Sequence, residues 1–339
     1  MALIEYDLFG NVRDKVKVAV EIARMFEPKD EPYILAYSGG KDSITAKKIL
    51  DLAGVRYDTV YNMTTVDPAE LVRFIISQFE AVIYDLWDGA HKYFRVDNGK
   101  TLVKVREAEM PSSNVIHFTI PRYNMRQLIV REAYPPTRLA RYCCEELKES
   151  KNQFRVTVTG TRRNESQNRK ANSGQVVIFD GKQGRRAAEE HNVNFYKQIG
   201  GVVLNYDDSA SRRVVESCYR TSKMLVNPIS DFTEEDVWDF IKLYNLPYCS
   251  LYDEGWTRMG CIGCPMGNRR GQEAQFNRWP HMRRYYVSAF DEMLRVRKER
   301  GLTNKLNWNT GEDVMRWWLG YDKKNNPEQM RIDDLDAEE

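Results

Sequence analysis

The chain has 339 residues, 42% apolar and 29% charged, a composition that fits one large or two ordinary globular domains and excludes wholesale disorder. Lys and Arg number 51 against 49 Asp and Glu; the net charge of +2 excludes a uniformly basic nucleic-acid coat but leaves room for a local basic surface. Six cysteines are too few to staple a chain of this length. The first residues, Met-Ala-Leu-Ile-Glu-Tyr-Asp, carry acids where a secretory signal is basic, and no apolar run approaches the ~18–20 residues of a membrane span. A cytoplasmic protein with no membrane contact is expected, its thiols reduced or metal-bound.

In chain order, residues 12–27 predict a helix with Val16, Val20, Ile22, Ala23 and Phe26 on a broad apolar side, stopped by Pro28. Residues 33–37 are a short apolar run suited to a buried parallel strand. A helix pattern runs from Ser43 to Ala53 and ends at Gly54. A second strand run, Tyr57 to Met63, leads into a helix from Asp67-Pro68 to Phe79. Residues 93–105 predict a hairpin around Asn98-Gly99, inserted on the α/β body at about 90–110. Apolar alternation returns at 114–120, and a β-branched strand at 154–160 ends in Gly160. Residues 161–190 read as a polar, basic loop. Thr233 to Asp236 approximates a capping box ahead of Val237, Trp238, Phe240 and Ile241. The expected architecture is therefore α/β: a parallel twisted sheet with helices on both faces, a hairpin insertion and a mostly helical C-terminal region. The expected division is a nucleotide-binding α/β domain at 1–230, a helical region carrying C-x-x-C at 231–325 and a frayed acidic tail at 326–339.

The most informative segment is Ser38-Gly39-Gly40-Lys41-Asp42-Ser43, between an apparent buried strand and an apparent helix start. Two glycines allow a tight turn and close backbone approach. The N–H groups and dipole of the helix start favour an anion, typically phosphate. Ser38 and Ser43 add hydroxyls and Lys41 adds charge. Asp42 is out of place in a purely anionic site and suggests a divalent cation, Mg²⁺, shared with phosphate. The pattern is neither the P-loop nor Gly-x-Gly-x-x-Gly. It resembles the pyrophosphate (PP) loop of the adenine-nucleotide α-hydrolase superfamily, which implies ATP and cleavage between its α- and β-phosphates.

Four of the six cysteines form two close pairs, Cys143-Cys144 and Cys261-Ile-Gly-Cys264. Four thiolates hold either Zn²⁺ or an iron–sulfur cluster. Adjacent cysteines point in different directions, which suits the separate iron corners of a [4Fe–4S] cluster better than one small ion; zinc and redox thiols remain alternatives. Cys218 and Cys249 are unpaired in sequence and read as core residues.

With the loop and both cysteine pairs, the chain resembles the phosphoadenosine-phosphosulfate (PAPS) reductase family. The tandem cysteines followed far downstream by C-x-x-C resemble its iron–sulfur branch, which includes adenylylsulfate reductases and the DndC/SspD-type DNA-phosphorothioation proteins. The strings at Asn62–Pro68, Gly160–Ser166, Val226–Ser230 and Leu246–Gly255 support the resemblance, which spans most of residues 30–320. Assimilatory reductases carry a further nucleophilic cysteine near the C-terminus, whereas no cysteine follows Cys264 here. The resemblance then implies an ATP pyrophosphatase of a sulfur-transfer system, with DNA phosphorothioation as its case, served by a sulfur donor such as a cysteine desulfurase. The alternatives are a sulfonucleotide reductase and a non-catalytic, cluster-bearing nucleotide-binding subunit.

In this reading Ser38, Gly39, Gly40 and Ser43 hold pyrophosphate, Asp42 and Lys41 serve the reaction, and Arg162 and Arg163, at a strand's carboxyl end, bind phosphate. Arg138 and Arg141 add charge before the cysteines. Residues 269–300 hold nine Lys/Arg against four Asp/Glu, with Phe276, Trp279, Tyr285 and Tyr286 among them. They form either a surface for a nucleic acid or other phosphate-bearing acceptor, or a charged helix whose aromatics face the core. His91, His117, His191 and His281 show no metal spacing.

Overall fold

The computed structural model describes residues 3–6, 12–149, 155–165, 176–179, 195–196, 201–204, 223–302 and 307–321. Cys218, His191 and the acidic tail lie outside the described residues.

Among the described residues an eleven-stranded sheet runs in the order β11-β12-β10-β13-β9-β3-β4-β8-β5-β6-β7. Its centre is parallel: β13 (Lys223–Val226), β9 (Thr157–Val158), β3 (Tyr33–Ala36), β4 (Tyr57–Asn62), β8 (Val115–Thr119) and β5 (Ala81–Asp85). Antiparallel strands extend both edges. On one side are β10 (Val176–Phe179), β12 (Gly201–Leu204) and β11 (Phe195–Tyr196). On the other, β6 (His91–Asp97) and β7 (Thr101–Val105) continue from β5. The hairpin expected at 93–105 is thus an extension of the sheet, and its turn holds Asn98 and Gly99 at φ 51° and 66°.

Tyr33, Ile34 and Leu35 are buried, as a central parallel strand requires. The chain passes from β3 through α2 (Lys41–Ala53) to β4 and through α3 (Ala69–Ser77) to β5. After β8 it takes α4 (Met125–Glu132) and α5 (Tyr142–Cys144) back across the sheet to β9. Right-handed crossovers in opposite directions put their helices on opposite faces. The reversal falls beside β3, so the loop leaving β3 stands at the topological switch point, where open α/β sheets bind ligands.

Several boundaries differ from expectation. Val12–Asp14 is not helical: it is strand β2, paired antiparallel with β1 (Ile4–Tyr6), and Asp14 caps α1 (Lys15–Met25) by accepting from the N–H groups of Val16 and Lys17. β5 and α4 carried no expectation of their own. The stretch expected to be loop from 161 contains β10.

The C-terminal helices are α6 (Glu234–Leu243), α7 (Arg269–Arg278), α8 (Pro280–Glu299) and α9 (Gly311–Trp318). Thr233 and Asp236 form the expected capping box of α6. Phe276, Trp279 and Tyr286 are buried, and Tyr285 accepts from the Arg126 N–H at 3.0 Å. The aromatics among the basic residues therefore belong to the core, and no stacking platform for bases is built from them. Trp318 closes this core, its Nε1 donating to Pro136 O at 2.5 Å.

Candidate functional site

The segment Ser38–Ser43 turns from β3 into α2. Gly39 has φ +70°, and a Cβ there would lie 2.5 Å from Ile75 Cγ1, so the turn needs glycine for both conformation and space. Gly40 caps α2 without a side-chain hydrogen bond. The loop is braced from within: Ser43 Oγ accepts from Ser38 N at 3.2 Å and donates to Gly40 O at 2.9 Å.

The structure brings Arg162 to this loop from the carboxyl end of β9. Gly160 makes the approach possible, because a Cβ there would meet the backbone C and O of Asp42 at 2.6 Å. Arg162 Nε donates to Asp42 Oδ1 at 2.6 Å and its Nη2 to Glu234 Oε2 at 2.7 Å. Lys41 Nζ lies 3.4 Å from Asp42 Oδ2 and 3.4 Å from Glu234 Oε1, and donates to Thr257 O at 3.2 Å. The Lys41 and Arg162 side chains are only 4% exposed. Two buried cations and two carboxylates thus form one cluster at the switch point. Arg163 turns elsewhere: its Nη1 pairs with Asp231 at 3.2 Å, and Asp231 also takes Arg13 at 2.7 Å.

Two members of this cluster were not expected from sequence. Glu234 sits in the first turn of α6, where its acid is fully accounted for as helix capping. Tyr252, at the end of the 3₁₀ turn Ser250–Tyr252, accepts from the Lys41 N–H at 2.9 Å. Both lie about two hundred residues from the loop in sequence, and no local signal marks them. Asn62, at the carboxyl end of β4, keeps a buried Oδ1 with no hydrogen-bond partner among the described residues.

The four cysteines converge. Cys143 and Cys144 on α5 and Cys261 and Cys264 line one small pocket together with Thr64, Leu147 and Lys148. Arg138 ties the two segments, donating to Pro265 O at 3.3 Å and to Met266 O at 3.1 Å. Among the described residues no three His, Cys, Asp or Glu side chains close on a point as a single metal ion needs. Cys143 donates to Cys144; that bond, aided by Arg141, holds the Cys144 thiol well below its ordinary value and pushes Cys143 up. Burial raises Cys261 to about 11, against the opposing charge of Lys148. Cys249 is 1% exposed and packs in the core, as expected.

A short strap joins loop and pocket. Thr257 accepts from Lys41, Met259 faces Gly40, and Ile262 N donates to Val66 O at 2.9 Å beside Cys261. Thr65, in the turn after β4, has φ 67°, a strained value for a β-branched residue, and its Oγ1 accepts from Met125 N at 3.0 Å.

Residues 94–267 match the profile of the phosphoadenosine phosphosulfate reductase domain. The match takes in both cysteine pairs, Arg162, Glu234 and Tyr252 and begins after the loop. Among curated proteins, the chain is similar to adenosine 5'-phosphosulfate reductase of Shouchella clausii, 36% identical over 70 residues, which are 21% of this chain and 29% of that protein. It is also similar to the enzyme of that name from Neisseria meningitidis serogroup B, 40% identical over 53 residues, 16% of this chain and 22% of the relative. The alignments thus span less than a third of these relatives. Among solved structures, the Candida auris PAPS reductase phosphate complex aligns at TM-score 0.36 and 10% identity over 72% of this chain and 87% of that one. Candida glabrata FMN adenylyltransferase with FAD and pyrophosphate aligns at TM-score 0.37 and 12% identity over 74% and 62%. The profile match spans half of the sequence. The chain belongs to the phosphoadenosine phosphosulfate reductase domain family.

Proposed function

We propose that the chain binds ATP with Mg²⁺ at Ser38–Ser43 and cleaves it between the α- and β-phosphates in a sulfur-transfer system, with DNA phosphorothioation as the leading case. An acceptor oxygen attacks the α-phosphate and pyrophosphate leaves; the terminal persulfide sulfur of a donor such as a cysteine desulfurase then displaces AMP, and two electrons from an external thiol reductant cleave the resulting S–S bond to free the donor. The observation that carries the reading is the convergence of the loop, Lys41 and Arg162 at the carboxyl edge of the parallel sheet, with the cysteine pocket one strap away.

In this reading the loop N–H groups and the two cations orient and neutralise the departing pyrophosphate, and positioning supplies most of the rate. Asp42, 26% exposed at the loop, is the hard oxygen donor that would hold Mg²⁺. Four thiols around one largely apolar pocket fit the donor chemistry of an iron–sulfur cluster, which Cys143, Cys144, Cys261 and Cys264 would hold. Bound there, a cluster would supply charge and, if redox-active, single electrons.

The second reading is reduction of a sulfonucleotide, favoured by the activity named for the curated relatives. It needs a further reactive thiol, and the burial of Cys249 weighs against that residue. Anaerobic assays with ATP, adenylylsulfate and PAPS offered in parallel separate the two, by pyrophosphate release or sulfite production. Asp42→Ala is expected to abolish pyrophosphate release; unchanged turnover in that variant would sink the loop assignment.

A further inference from the structure

The cations expected to meet phosphate are already neutralised by the chain itself. Lys41 and Arg162 are 4% exposed, and buried cations demand a counter-charge. Asp42 supplies one carboxylate from the loop. Glu234 supplies the other from α6, reaching Lys41 at 3.4 Å and Arg162 at 2.7 Å, while its side chain remains 55% exposed. A carboxylate so exposed returns to water at little desolvation cost, whereas the cations cannot follow it. The first N–H of α2, a natural phosphate donor, is likewise spent on the Tyr252 hydroxyl.

We propose that Glu234 is a displaceable internal anion that competes with the ligand's phosphates for Lys41 and Arg162, and that Tyr252 stands over the helix N-terminus in the same way. Glu234 balances the charge of Lys41 and Arg162 and sets how strongly a phosphate-bearing ligand must bind to take its place. It is a specificity-determining residue for ligand charge: the more negative the ligand, the more it gains when Glu234 is neutralised, since the repulsion it relieves scales with ligand charge. The inference rests on the loop being the phosphate site.

The test is calorimetric titration of the full chain with inorganic pyrophosphate and, separately, inorganic phosphate, at low and high salt. Glu234→Gln is expected to bind pyrophosphate about tenfold more tightly than the parent, the scale of one charge-assisted hydrogen bond. The gain should be smaller for phosphate and should shrink as salt rises. Glu235→Gln, the neighbouring exposed acid, is expected to change affinity less than about twofold, which controls for net charge. Tyr252→Phe keeps the ring, frees the Lys41 N–H and is expected to tighten pyrophosphate as well. Circular dichroism melts establish that each variant is folded. Pyrophosphate binding by the parent with equal or weaker binding by Glu234→Gln overturns the competitor role while leaving the loop reading intact. Absence of pyrophosphate binding in parent and variants alike overturns both.

Discussion

Replacing Gly160 by alanine tests the approach of β9 to the Ser38–Ser43 loop. The added Cβ would stand 2.6 Å from the carbonyl carbon and oxygen of Asp42 and 3.0 Å from its Cβ. Two of these atoms are backbone in the first turn of α2, so no side chain can swing aside. Restoring ordinary contact at 3.4 Å requires the two segments to part by about 0.8 Å, which stretches the 2.6 Å Arg162–Asp42 bridge to about 3.4 Å and weakens it. Overpacking of this kind costs about 1–3 kcal/mol. With an unfolding entropy of roughly 2 cal/mol/K per residue, the melting midpoint should fall by roughly 1.5–4 °C if the chain melts as one unit. Scanning calorimetry reads that shift, and pyrophosphate titration reads the accompanying loss of affinity. Gly260→Ala is the matched control, since a Cβ there meets nothing within 4 Å. Equal midpoints and equal pyrophosphate affinity for Gly160→Ala and the parent would refute the claim that this contact sets the loop.

Three further outcomes are expected. Anaerobic reconstitution should load about four irons per parent chain, and Cys143→Ser or Cys261→Ser should lose most of that iron; stoichiometric zinc in the parent would contradict the cluster. Lys15→Met strands Asp236, which is 1% exposed and bonded to Lys15 at 2.7 Å, and should cost about 3–5 kcal/mol in urea unfolding; a loss under about 1 kcal/mol would show that Asp236 finds other compensation. Burial alone would raise the Asp85 carboxyl, but hydrogen bonds from His117 at 3.0 Å and His91 at 2.8 Å outweigh it and hold it below its ordinary 3.8. That contribution is complete above the unfolded value of 3.8 and is lost as pH falls through the lower folded value. Asp85→Asn should therefore flatten the stability profile below about pH 4, and superimposable acid limbs would contradict it.

The loop was legible because its evidence is contiguous: an apolar run, two glycines and a helix start lie within a dozen residues. The cysteines were legible by residue type and spacing, and the fold adds that all four face one pocket. Glu234 and Tyr252 were not legible. Glu234 had a sufficient local explanation as a helix-capping acid, and tertiary contact alone gives it a second partner set. Tyr252 reads as one aromatic among several. The basic run at 269–300 left two readings open, and for its aromatics the fold takes the core-facing one, with Phe276 and Tyr286 fixed by the Trp318 core. Val12–Asp14 reads as helix by apolar content, yet pairing with Ile4–Tyr6 overrides that local preference.

The strap from Thr257 to Cys261 acts as a tether of fixed length. Four residues of fully extended chain reach no more than about 14 Å. The Thr257 carbonyl is 3.2 Å from the Lys41 ammonium, so that ammonium and the Cys261 thiol are kept within roughly 20 Å of each other. Lengthening the strap by even a few glycines would uncouple the two halves of the site while leaving every residue of each half in place.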